Sequence, residues 1–528
     1  MKTSALRLFL DCIWLEAMID VTLSIDGQSL KIEDVVRVAR ENESIELAQE
    51  AAAKIVECRE VVEKLIARRE KIYGVSTGIG ELSNVFLTPD QVKEFQRYVI
   101  YSHAAGWGDP VAIDDARAAW LTRVNILSRG HSGLRLLIVT TLIEMLNKGV
   151  TPVMCQKGSV GASGDLSPLG QGALVPMGEG EAFYQGKRMS GKDAMDKAGI
   201  KTVTYEARDG LATINGSNLV AGMGCLQLFD ADMLIKTSEI AAAMTLEALT
   251  PNMLAYDDRL HRARGYEGAI ECAENVRRIV EGSEILKQKP QKVQESYSLR
   301  STPQVVGAAK DTLKFSRKMF EIEINGVGDN PLFFTDNGGT CLTGANFQGT
   351  PLAFALEYLG IALTTIGTLS ERRMNRLVNP ALSMGLPAFL TKGAGMFSGM
   401  MLAQYTAASL VCENRVLSTP AATGSIPTAA DQEDFVSMAN TTAMKTKQIL
   451  KNSAAIFAIE LMAGAQALDF RKPMNPGKGT QAAYDVVRKY VKHLDEDRPL
   501  YPDITKMAQV VESREVLEAV EKAVGKLK

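Results

Sequence analysis

The chain has 528 residues, 46% hydrophobic and 23% charged, a balance that fills a sizeable core and excludes a disordered or fibrous chain. A formal net charge of −3 gives no reason to expect nucleic acid or an anionic membrane as a partner. Seven cysteines with no Cys-x-x-Cys, and four scattered histidines, exclude a disulfide framework and a zinc site and point to reduced thiols in the cytoplasm.

Residues 1–17 read as an extension. Lys2 and Arg7 sit among apolar neighbours, but Asp11 and Glu16 interrupt the apolar region and no small-residue cleavage site follows, so the body opens at Met18. Residues 21–32 alternate and carry Asp26-Gly27, a hairpin signal. The spacing predicts one helix over 33–69, then a glycine-bearing loop, Ile72-Tyr73-Gly74-Val75-Ser76-Thr77-Gly78-Ile79-Gly80. Thr88-Pro89-Asp90 starts a helix towards Tyr101, and 114–128 and 132–147 are further helices. Short strands and turns are expected over 178–201, one long apolar helix over 218–249 stopped by Pro251, and an amphipathic helix over 267–286. The lysine-rich stretch 282–295 reads as a solvated loop.

Beyond it, 350–373, 399–417 and 431–468 are apolar on nearly all faces, and 482–493 and 510–528 read as amphipathic closing helices. The uncharged run 393–412 is long enough to raise the question of a membrane span. Its Gln404, Thr406, serines and glycines, with Glu413-Asn414-Arg415 following at once, fit a buried helix better. So many all-round apolar helices are too many for one subunit to cover, which predicts a bundle shared between subunits. No Pro-, Ser- or Gly-rich linker divides the chain, so one body with lobes is expected: 18–210 as an N-terminal lobe, 211–475 as a central long-helix bundle and 476–528 as C-terminal helices.

The chain is organised around Gly158-Ser159-Val160-Gly161-Ala162-Ser163-Gly164-Asp165-Leu166-Ser167-Pro168-Leu169. Read from backbone preferences, this is a tight small-residue loop that starts a helix, with Asp165 or Ser167 as N-cap and Pro168 first in the helix. It could also cradle a phosphate. Elsewhere Tyr73 reads as a ring at a loop base, His103 as a structural histidine at a helix end, and Asn215-Gly216 as a turn. Arg300 reads as a surface ion pair, Phe347 as core, and Glu413 as a carboxylate that pairs with Arg415 or with a residue across the bundle.

Together these strings resemble the histidine, phenylalanine and tyrosine ammonia-lyase family. Gly-Ala-Ser-Gly-Asp-Leu-Ser-Pro-Leu is similar to that family's cyclising stretch, and Tyr-Gly-Val-Ser-Thr-Gly-Ile-Gly to its Tyr-Gly-Val-Asn-Thr-Gly-Phe-Gly, with Ser76 and Ile79 as departures. The resemblance runs in order from about residue 21 to 440. It implies a mainly α fold with a central helical bundle shared in a homotetramer and a smaller mixed N-terminal lobe. It also implies a 4-methylideneimidazol-5-one prosthetic group formed from Ala162, Ser163 and Gly164, with Tyr73 and Tyr297 in the catalytic set. Gly164 suits such a cyclisation, because its nitrogen must reach back to the Ala162 carbonyl without a side-chain penalty.

By the same resemblance, Ser102, His103, Asn215, Gln294, Arg300, Asn346, Phe347, Glu413 and Gln432 bind the substrate, with Arg300 on its carboxylate. Gln304 is a supporting residue. Ser102-His103 and Glu413 favour histidine, eliminated to urocanate. Gln348, and Asp431 and Phe435 around Gln432-Glu433-Asp434, depart from the histidine-lyase pattern, and some aminomutases also carry Ser-His. A tyrosine or phenylalanine ammonia-lyase or 2,3-aminomutase is therefore the alternative. A helical scaffold, or an argininosuccinate-lyase-like eliminase without an internal prosthetic group, is set apart by the triad at 162–164. No metal, nucleic acid or membrane partner is implied; the partner is a small aromatic amino acid.

Overall fold

In the computed structural model, which describes residues 22–528, Asp26-Gly27 does not close a hairpin. The Asp26 carboxylate accepts from the backbone N–H groups of Gln28 and Ser29 at 2.7 and 2.9 Å, and the chain turns into the helix Ile32–Arg40. The strand Leu23–Ile25 then pairs in parallel with Ile45–Leu47 across that helix. The helix expected over 33–69 is therefore two, Ile32–Arg40 and Gln49–Ala67, because Asn42 takes a positive φ and the β-preferring stretch at Ile45 pairs instead. The extension 1–17 and the opening at Met18 lie outside the described residues.

Helix dominates the rest. Thr88 caps Pro89–His103 with a reciprocal capping box to Gln91, as its Thr-Pro start predicts. The long apolar helix falls on Asn218–Leu249 and is buried along most of its length, as a core helix should be. Two boundaries differ from the periodicity. Residues 431–438 form a loop ahead of the helix Ala439–Asp469, because Ala429, Ala430, Asp431 and Met438 all hold positive φ. The closing segment is two helices, Tyr501–Glu512 and Glu515–Val524, broken at the left-handed Arg514.

The chain divides into two compact units. The first comprises the residues to Leu226, Met319–Ala353 and Gly424–Thr441, and holds every strand among the described residues. Its spine is the helix Ile113–Leu127, buried from Asp115 onward. Two buried arginines of this spine, Arg117 and Arg123, and a third, Arg208, tie down loops and helix ends. Arg117 donates to the carbonyls of Val38, Ala39 and Leu146, satisfying the C-terminal ends of two helices. Arg123 donates to Asn218 Oδ1 at 3.0 Å and to the Ala212 carbonyl, and Arg208 to the carbonyls of Ser132, Asn330 and Pro331. Asp329 is the counter-charge for both, 2.8 Å from Arg208 and 3.6 Å from Arg123, all three fully buried. Burial lowers the Arg123 guanidinium to about 10, which still leaves it charged at neutral pH.

In the second unit, Glu460 is fully buried and takes Arg373 at 2.6 and 2.8 Å, with Ser370 and Thr245 completing its hydrogen bonds. The helix Thr350–Val378 buries one side and leaves Phe354, Tyr358 and Ile361 exposed at helical spacing. Leu402 and Tyr405 of Met401–Leu417 are exposed as well.

Removing the shared counter-charge from two buried guanidinium groups is costly. Asp329→Ala is expected to lower stability by about 3–5 kcal/mol in chemical denaturation. A loss below about 1 kcal/mol would mean that the arginines are held by their carbonyl partners alone.

Candidate active site

The small-residue loop is curled as tightly as its composition suggests. Gly161 and Gly164 bridge to each other, and Ser163 between them takes a left-handed φ of 52°. Gly164 lies directly on Gly216, where a Cβ would fall 2.2 Å from the Gly216 carbonyl carbon. No other residue fits there. Two backbone hydrogen bonds lock the contact, Gly216 N–H to the Ser163 carbonyl at 3.2 Å and Asp165 N–H to the Gly216 carbonyl at 2.8 Å.

Asp165 takes the N-cap position of the helix Leu166–Ala173, which places Pro168 third in that helix rather than first. Its carboxylate accepts from Ser159 Oγ and from the N–H of Val220, in the first turn of Asn218–Leu249, each at 3.0 Å. Complete burial nonetheless pushes the carboxyl up to about 6. Burial also raises Glu323 to about 7, with the Asp165 charge adding to the effect.

Tyr73 lies on a loop held by its own side chains. Ser76 Oγ accepts from Ile72 N–H and donates to the Glu70 carbonyl, so serine serves the turn where the family string has asparagine. The Tyr73 hydroxyl oxygen accepts from Gly80 N–H at 2.9 Å. Burial raises the phenol, while that N–H favours the phenolate and pulls the other way. His103 ends the helix Pro89–His103, and its Nδ1 lies 2.7 Å from the Val99 carbonyl and 3.0 Å from Ser102 Oγ. A carbonyl only accepts, so Nδ1 carries the proton and Nε2 is left as an acceptor. Burial lowers the imidazole, keeping the ring neutral at pH 7.

These residues line one cavity of about 300 Å³ in the first unit, walled by Tyr73, His103, Ser163, Leu211, Asn215 and Glu433. Asn215 is 2% exposed, and its Oδ1 has no hydrogen-bond partner among the described residues. An orphaned buried oxygen on a cavity wall is a ready acceptor for a ligand. Glu433 Oε1 accepts from Ser163 Oγ at 3.2 Å, and its backbone pairs with Thr428 across a left-handed turn at Ala429, Ala430 and Asp431.

The sequence pattern points to Gln432, whereas the structure puts its neighbour in the same motif, Glu433, on the cavity wall. Gln432 is exposed, as is Asn346, and the Phe347 carbonyl accepts from Ser217 Oγ at 2.8 Å. Phe435, a departure from the histidine-lyase pattern, is 66% exposed and does not line the cavity. Only the turn, visible in three dimensions, aims the glutamate at Ser163.

In the second unit Gln294, Tyr297 and Arg300 form a cluster of their own. The Arg300 guanidinium lies 4.6 Å over the Tyr297 ring. With its amide oxygen facing the guanidinium, Gln294 accepts from Arg300 Nε at 3.1 Å and from both terminal nitrogens at 2.5 Å. The Tyr256 hydroxyl pins the Leu299 carbonyl from beneath at 2.6 Å. Among the described residues Arg300 has no carboxylate partner, so the surface ion pair expected of a lone arginine is absent. Gln304 keeps a buried Oε1 without a partner among the described residues.

Glu413 is not a buried carboxylate within this chain. The helix Met401–Leu417 buries Ala403, Ala407, Val411 and Asn414, and Glu413 falls on the exposed face, where the 3.6-residue period puts it. The buried polar residue is its neighbour Asn414, whose Oδ1 accepts from Asn452 at 2.9 Å.

The family model described as aromatic amino acid lyase matches residues 30–489. The histidine ammonia-lyase of Alkaliphilus oremlandii is 48% identical over 503 residues, 95% of this chain and 99% of that one. Among solved structures, the tyrosine aminomutase of Streptomyces globisporus superposes with a TM-score of 0.92 at 36% identity, covering 96% of this chain and all of that one. The histidine ammonia-lyase of Trypanosoma cruzi superposes with a TM-score of 0.89 at 34% identity, covering 96% of each chain.

The raised Asp165 carboxyl sets a pH dependence of stability. A carboxyl that holds its proton more tightly when folded contributes stability fully below its unfolded value of 3.8, and that contribution is lost as pH rises through about 6. Asp165→Asn is expected to flatten the decline between pH 4 and 6 by up to about 3 kcal/mol, read from denaturation midpoints across that range. Parallel wild-type and variant curves would refute the assignment.

Proposed function

This chain belongs to the aromatic amino acid lyase family, and we propose that it is a histidine ammonia-lyase, a carbon–nitrogen lyase that eliminates ammonia from L-histidine to give trans-urocanate. The observation that carries the reading is the cavity that gathers Tyr73, His103, Ser163, Asn215 and Glu433. His103 Nε2 and the Glu433 carboxylate are both acceptors, the pairing that an imidazole with N–H donors calls for. A phenyl ring offers no donor to either acceptor, which disfavours phenylalanine.

The residues at 162–164 fit a 4-methylideneimidazol-5-one prosthetic group. The loop is already bent back on itself at Ser163, Gly164 carries no Cβ, and Glu433 stands beside the Ser163 hydroxyl that such a cyclisation must lose. Asn215, with its orphaned oxygen, is the side chain that would hold the group and the substrate amine. The chemistry the group supplies is an electrophile that makes nitrogen a better leaving group.

The remaining steps belong to the chain. Tyr73 takes the β-hydrogen, and the Gly80 N–H steadies the phenolate. A positioned base contributes about 100- to 10,000-fold, short of what such an elimination needs, so the base and the electrophile are both required. Arg300, stacked on Tyr297 and free of any carboxylate among the described residues, is suited to grip the substrate carboxylate with both prongs of its guanidinium. The exposed apolar face at Phe354, Tyr358 and Ile361 supports a homotetramer whose bundle covers it. Among the described residues no disulfide joins the cysteines, which fits a reducing cytoplasm.

A steady-state panel of histidine, tyrosine and phenylalanine tests the substrate. Histidine is expected to turn over fastest, with urocanate as product and no β-amino acid. Faster turnover of tyrosine, or a β-amino acid product, would replace this reading with that of a tyrosine lyase or an aminomutase, the activity named for the 36% identical structural neighbour. Ser163→Ala is expected to cost more than about 100-fold in rate while assembly is kept. Because burial raises the Tyr73 phenol, kcat/KM for histidine is expected to climb as pH rises from about 7 to 9. A flat profile would count against a tyrosine base.

A further inference from the structure

We propose that Gln96 is a positioning residue for the reaction, a buried amide that sets the Tyr73 loop against the segment ending at Asn215; the inference rests on the reading of Tyr73 as the base. Gln96 lies on the helix Pro89–His103, two turns before His103 and on the same side of it. It is fully buried and does not line the cavity. Its Nε2 donates to the Gly74 carbonyl at 3.2 Å, one residue past Tyr73. Its Oε1 accepts from the N–H of Leu211 at 3.2 Å.

That N–H is one of the orphan donors in the first turn of the helix Asp209–Ile214, whose N-cap residue Arg208 supplies no side-chain bond. The same helix ends on Asn215. One side chain thus joins three elements, each carrying a cavity residue: Tyr73, His103 and Asn215. The packing around it has no slack. A Cβ on Gly74 would fall 2.2 Å from Leu211 Cδ2, and one on Gly210 would fall 2.5 Å from the Gln96 carbonyl oxygen. Tyr73 is then fixed at both ends, by the Gln96 amide next to its backbone and by the Gly80 N–H at its hydroxyl. An apolar side chain of equal length fills the volume but makes neither bond, so the phenol loses its backbone anchor while the core stays filled.

The test uses the full-length enzyme with three variants, Gln96→Met, Tyr73→Phe and the two combined, assayed on histidine far below the unfolding temperature. Gln96→Met is expected to lower kcat by about 10- to 100-fold, the cost of a misplaced base, with KM within about threefold of wild type. The oligomeric state and the mass of the cyclised chain are expected to be unchanged. In the Tyr73→Phe background the same change is expected to cost less than about twofold, because a residue that acts through Tyr73 has nothing left to position. A lowered unfolding temperature with kcat within about twofold of wild type would overturn the proposal and leave Gln96 a purely structural residue. So would full additivity with Tyr73→Phe. If Tyr73→Phe itself retains the rate, it is the base assignment that fails. Should Gln96→Met not assemble, Gln96→Glu carries the same test. It keeps the size and the acceptor for Leu211, and its ionised form has no donor for Gly74. Its kcat is therefore expected to fall with KM held, and an unchanged kcat above neutral pH overturns the proposal.

Discussion

Backbone rests on backbone where Gly164 meets Gly216, and the first unit is arranged to keep that contact closed. Two peptide hydrogen bonds hold it, and any side chain at Gly164 would sit inside the neighbouring peptide. From this crossing the chain runs one way into Leu166–Ala173 and the other into Asn218–Leu249. Asp165 links the starts of both helices, its carboxylate on the Val220 N–H. Its burial is unfavourable for the charge, and the favourable return is a loop that cannot relax away from the cavity.

Around that point, cations hold loops that have no regular structure of their own. Arg117, Arg123 and Arg208 spend their donors almost wholly on main-chain carbonyls at helix ends and in loops. Arginine suits this task because its five N–H groups fan out in one rigid plane. The cavity's polar side chains then sit where rigid elements stop: His103 at a helix C-terminus, Asn215 just past another, Tyr73 and Ser163 on loops. Such positions leave a polar group free to face a ligand instead of a neighbouring turn.

Glu433 owes its place to local strain. Three successive left-handed residues without glycine, Ala429, Ala430 and Asp431, are each unfavourable by about 1–2 kcal/mol. They turn the chain so that Thr428 and Glu433 pair and the carboxylate reaches Ser163. With His103 held in one tautomer by the Val99 carbonyl, the cavity offers two acceptors and a phenol within one small volume.

Much of this was legible in the residues alone. The long helix at 218–249, the capped start at Thr88 and the bent small-residue loop follow from period, capping chemistry and glycine, all of which act over a few residues. By type alone Tyr73, His103 and Asn215 read as structural residues; the likeness of their strings to the family's singled them out with Ser163, and the fold gathers all four round one cavity. What local signals could not supply was direction. The Asp26-Gly27 turn became a strand end because its partner strand lies beyond a helix, a pairing set by packing. Glu413 stands in an apolar stretch and Glu433 in the polar run Asp431-Gln432-Glu433-Asp434, and neither setting says which way the carboxylate points. One faces outward because of helical phase, and the other is aimed inward by a strained turn whose φ values no alanine announces. Sequence determined which chemistry this chain carries; tertiary structure decided which side chains share a cavity, because that depends on contacts between segments hundreds of residues apart, such as Ser163 with Glu433.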